Sequence, residues 1–78
     1  MDTTDPLVIS GFMSEHWGRK AGNPASLPAW VRHAQKIFPD VDLLAEIRLA
    51  MMWEMERPSR EKKNVRMFMS RWFKRAQE

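Results

Sequence analysis

The chain has 78 residues, with 13 lysines and arginines against 10 acids, a net charge of +3 and no cysteine. That length allows one domain with a thin core, and the missing cysteines exclude a disulfide framework, thiolate catalysis and cysteine-type zinc sites. No apolar run approaches the roughly 20 residues of a membrane span, and Met1-Asp2-Thr3-Thr4-Asp5 is acidic where a signal peptide needs a basic start, so the expected setting is the cytoplasm with no membrane contact.

Residues 1–26 are interrupted by Asp5-Pro6, Gly11, Gly18 and Gly22-Asn23-Pro24. These breakers predict an irregular or partly disordered segment with no long helix. It is nevertheless too apolar for a solvated tail. Leu7, Ile9, Phe12 and Trp17 are therefore its candidate partner-binding side chains, with tryptophan the commonest anchor of binding hot spots.

The first helix is predicted from Leu27 to Phe38, capped by Ser26, with Pro28 in its first turn. Trp30, Val31, Ala34, Ile37 and Phe38 share its apolar face, while Arg32, His33, Gln35 and Lys36 lie opposite. A second helix follows from Val41 or Leu43 to Glu56, with Asp40 or Asp42 as the cap. It carries two apolar stripes, one of Leu43, Leu44, Ile47, Met51 and Met55 and one of Ala45, Leu49, Met52 and Trp53. Two stripes predict a central helix lying between two neighbours. The third helix starts at Ser59 or later and runs to Gln77, with Val65, Phe68, Met69, Trp72, Phe73 and Ala76 on one broad face. The predicted architecture is all-α: a three-helix domain over residues 27–78, preceded by the irregular segment.

Charge is unevenly placed. From Arg60 to Glu78 seven cations (Arg60, Lys62, Lys63, Arg66, Arg71, Lys74, Arg75) stand against Glu61 and Glu78, a surplus of five, so the residues before Arg60 carry −2 of the net +3. Ordinary surfaces mix signs, and a one-signed face points to an anionic partner, most commonly nucleic acid. Four of the seven are arginine, which binds phosphate bidentately and stacks on bases. Lys63, Arg66, Arg71, Lys74 and Arg75 are the candidate phosphate contacts. Phe68 and Trp72 read as core. Phe73, at the edge of the apolar face, reads as the ring available to stack on a base.

Other chemistry finds no residues to carry it. His16 and His33 are far apart in sequence, with no carboxylate at ligand spacing, so no metal is expected. There is no Gly-rich phosphate loop and no nucleophile elbow, and Glu54 and Glu56 point to different sides of a helix. No enzymatic activity and no cofactor are expected.

The second half carries Trp30-Val31-Arg32-His33-Ala34, Pro39-Asp40-Val41-Asp42, Glu46-Ile47 and Trp53, and closes on Lys62-Lys63-Asn64 and Phe68-Met69-Ser70-Arg71-Trp72-Phe73-Lys74-Arg75-Ala76-Gln77. This resembles a small helical module at the C-terminus of bacteriophage and prophage replication proteins: replisome organisers, helicase loaders and proteins similar to the primosomal protein DnaT. The resemblance implies binding of single-stranded DNA, contact with a replicative helicase or primosomal protein, or both. Residue by residue it points to Lys62, Lys63, Asn64, Arg71, Trp72, Lys74, Arg75 and Gln77. The usual N-terminal winged-helix or oligomerisation domain of that group has no counterpart in residues 1–26. Two other readings compete. One is a protein-interaction module or inhibitor that binds a host replication or defence protein through Leu7–Trp17 and the methionine-rich helix. The other is a helix-turn-helix reader of duplex DNA, disfavoured because Arg57-Pro58-Ser59 lacks the usual glycine turn.

Overall fold

The computed structural model describes residues 4–57 and 64–78. They form helix α1 (Pro6–Trp17), a 3-10 turn (Gly18–Ala21), α2 (Leu27–Ile37), α3 (Leu43–Met55) and α4 (Val65–Gln77). The all-α class is as the sequence predicts, but there is one helix more than expected.

That extra helix is α1, in the segment read as irregular. Gly11 apart, the breakers mark its ends or lie beyond them. Asp5 is the N-cap, its carboxylate accepting from the Leu7 N–H at 2.9 Å, and Pro6 occupies the first turn, where its missing N–H costs nothing. Gly18 closes the helix at φ 57°, its N–H donating to the Ser14 carbonyl. Ile9, Met13 and Trp17, four residues apart, form the buried row. The buried Ser10 hydroxyl is satisfied by the Leu7 carbonyl at 3.2 Å.

Two glycines set up opposite expectations. Gly11 sits mid-helix and exposed, and a Cβ there would meet nothing within 4 Å. Gly22 has φ 91° and ψ −168°, a region essentially reserved for glycine, and a Cβ would lie 2.7 Å from Arg66 Nε. Gly11→Ala should raise stability by about 0.5–1 kcal/mol, and Gly22→Ala should lower it by about 1–3 kcal/mol. Urea denaturation of both variants checks the pair, and equal effects would contradict these backbone assignments.

Helix α2 runs close to the predicted bounds and buries Leu27, Val31 and Ala34. Ser26 precedes it but makes no capping bond. Its own backbone is already helical (φ −97°, ψ −10°), and its hydroxyl donates instead to the Asn23 carbonyl at 3.0 Å. Helix α3 is capped by Asp42, which accepts from the Ala45 N–H at 3.2 Å. It touches two neighbours, α1 and α4, as two apolar stripes predict, with Leu43, Leu44 and Ile47 of the first stripe buried and Trp53 of the second against α4. Leu43, Leu44, Ile47, Ala50 and Glu54 are buried, whereas Ala45, Leu49, Met52 and Met55 are exposed.

Helix α4 is capped by Asn64, whose side-chain oxygen accepts from the Met67 N–H at 3.1 Å. Val65, Met69 and Phe73 form its fully buried row. They join Ile9, Met13, Leu27, Val31 and Ile47 in one hydrophobic core.

Candidate nucleic-acid interface

The geometry of α4 divides its cations into two groups. Arg66 faces inward, toward the turn before α2. Its Nε donates to the Ala21 carbonyl at 2.8 Å, and its Nη2 donates to the Asn23 carbonyl at 3.0 Å and to Ser26 Oγ at 2.9 Å. This guanidinium is consumed in holding the loop over residues 21–26, so the expectation that it grips phosphate is corrected. Arg71, Lys74 and Arg75 stand on the open flank of the same helix, all exposed. Their spacing of three and four residues places them side by side. Among the described residues none of the three enters an ion pair. Lys62 and Lys63 lie outside the described residues. Asn64 is exposed, but its side-chain oxygen already serves as the helix cap.

Phe73 is a second correction. It is 0% exposed, with its ring 6.3 Å from Trp30 and 5.8 Å from Phe38, so no base can reach it. The two rings assigned to the core are instead the partly buried ones. Phe68 and Trp72 meet Trp53 of α3 in a cluster with centroids 5.8–6.2 Å apart. The Arg57 guanidinium lies 5.0 Å over the Trp53 ring, a favourable cation–π contact. The indole N–H of Trp72 donates to Glu46 Oε1 at 2.9 Å. This surface seam, adjoining the cationic flank, was missed apart from Trp72, which the resemblance singled out. Its signal was present in the pattern: Phe68 and Trp72 sit four apart on one helix and so share a side of it.

The candidate partner anchors of α1 separate in the same way. Leu7 is 64% exposed, Phe12 is half-buried with the Arg48 guanidinium 5.1 Å over its ring, and Ile9 and Trp17 are buried in the core. Two of the four are thus unavailable to a partner. Trp17 donates its indole N–H to Glu54 at 2.9 Å, and His16 Nε2 lies 3.7 Å from the same oxygen. His33 is exposed, on the polar side of α2 as expected. Among the described residues no three His, Cys, Asp or Glu side chains converge as a metal site, and no helix is long and apolar enough to cross a membrane.

No protein-family model, curated protein or solved structure matches the chain.

Proposed function

We propose that the chain is a non-catalytic module that binds single-stranded DNA along the open flank of α4 and serves phage-type replication by bringing a replicative helicase or primosomal protein to exposed DNA. The observation that carries the DNA-binding part is the trio Arg71, Lys74 and Arg75: three cations on one exposed flank, unpaired among the described residues. The replication setting rests on the resemblance of the α4 sequence. Partly buried rings beside the cations favour unpaired bases over duplex, because stacking needs an open base face.

Three neutralised phosphates on a single strand give a log–log salt slope of about −2. Arg71→Ala with Lys74→Ala should weaken binding of an oligonucleotide and bring the slope to about −0.7, with helix content unchanged because both side chains are exposed. Tryptophan fluorescence titration at two salt concentrations measures both quantities. Unchanged affinity in the double variant refutes the site.

A protein-interaction reading has its own observation. Leu49, Met52 and Met55 of α3 are 52%, 59% and 70% exposed, and methionine-rich surfaces suit adaptable partners. Capture of a lysate protein that survives nuclease treatment and is lost in Met52→Lys would favour that reading.

A further inference from the structure

Where the α3 start meets the end of α4, Glu46, Trp72, Arg75 and Ala76 line an open groove of about 300 Å³. The Trp72 indole holds Glu46 Oε1, which fixes the carboxylate beside the ring. The other oxygen, Oε2, accepts no hydrogen bond from the described residues. Glu46 also sits in the first turn of α3, near the positive end of the helix dipole, so its negative charge is favoured there. The groove therefore combines the partly buried Trp72 indole in its lining, a guanidinium on the adjoining turn and one acceptor-only oxygen.

An acceptor reads bases by their donors. A glutamate accepts from the exocyclic N4 amino group of cytosine. Uracil and thymine present a carbonyl at that position, and their N3–H lies between two carbonyls, so a carboxylate meets repulsion there. We infer that the Glu46–Trp72–Arg75 groove is a base subsite that prefers amino-bearing bases, with cytosine favoured over uracil and thymine. The inference rests on the single-strand reading above: Arg75 holds the phosphate of the nucleotide whose base enters the groove, and Arg71 and Lys74 hold the neighbouring ones.

The test uses the full chain with oligo-deoxycytidine and oligo-deoxyuridine of equal length, in slightly alkaline buffer where cytosine stays unprotonated. Wild type and Glu46→Gln are titrated at two salt concentrations. Glutamine keeps an oxygen for the Trp72 N–H and replaces the acceptor-only Oε2 with an amide donor. Wild type is expected to bind the cytosine strand about fivefold or more tightly than the uracil strand. Glu46→Gln should erase or invert that ratio while leaving the salt slope unchanged. Equal affinity of wild type for both strands, with normal salt dependence, overturns the subsite and leaves the phosphate contacts standing. A cytosine preference that persists in Glu46→Gln overturns the role of Glu46. Binding of neither strand at either salt overturns the single-strand reading itself, and the subsite with it.

Discussion

Phe73→Ala should abolish cooperative folding at room temperature. The ring is fully buried between Trp30 and Phe38 and continues the row Val65–Met69 into the centre of the molecule. Truncating a buried phenylalanine costs about 3–5 kcal/mol, from lost transfer energy and the cavity left behind. A core of this size supplies a net stability of about 3–5 kcal/mol, so a single substitution removes most of it. Phe73→Leu keeps much of the volume and should still melt cooperatively, at a lower temperature. Circular dichroism melts of the two variants decide the matter. A Phe73→Ala protein melting within a few degrees of wild type would return the ring to the edge of the apolar face, where the helical spacing puts it.

The helical spacing of α4 shows what sequence can and cannot resolve. The face of α4 from Val65 to Ala76 is broad, and periodicity alone identifies it without saying which part is deepest. The answer depends on neighbours. Helix α2 supplies Trp30 and its C-cap Phe38 on the Phe73 side, and α3 supplies Trp53 and Glu46 on the Phe68–Trp72 side. So Phe73 is enclosed and the other two rings are only partly covered. Arg66 was illegible for a similar reason. Nothing in its local sequence distinguishes it from Arg71, and only the loop over residues 21–26, 40 to 45 positions away, claims its guanidinium. By contrast α2 and α3 were legible almost to the residue, because Pro28, Asp42 and the apolar spacing are local signals. Helix α1 was hidden by a misread sign. Proline at a helix start and glycine at its end are boundary markers, and only Gly11 lies inside.

The open flank of α4 can be cationic because the helix is anchored elsewhere. Its buried row and the Arg66 clasp hold it against α2, the 3-10 turn and the loop between them. Arg71, Lys74 and Arg75 are exposed and enter no ion pair among the described residues, and their mutual repulsion is a modest cost in water. Substitutions on this flank should change ligand affinity while leaving the melt in place, the reverse of what Phe73 variants do.

Trp17→Phe is expected to be the second severe substitution, beyond the small area it removes. Glu54 is 8% exposed; Oε1 accepts the Trp17 indole N–H at 2.9 Å, and Oε2 is buried with no hydrogen-bond partner among the described residues. His16 Nε2 at 3.7 Å is too distant to replace the lost donor. Removing the indole N–H leaves a buried carboxylate without a donor, a change that costs about 2–4 kcal/mol. The cost belongs to the stranded carboxylate and not to the missing ring edge. Adding Glu54→Met, of similar length and apolar, should therefore restore most of the stability, because a buried polar pair replaced on both sides is often close to neutral. Urea denaturation of the single and double variants separates these terms. If the double variant is no more stable than Trp17→Phe, the carboxylate is not what makes the position sensitive, and the tie between α1 and the end of α3 is ordinary packing.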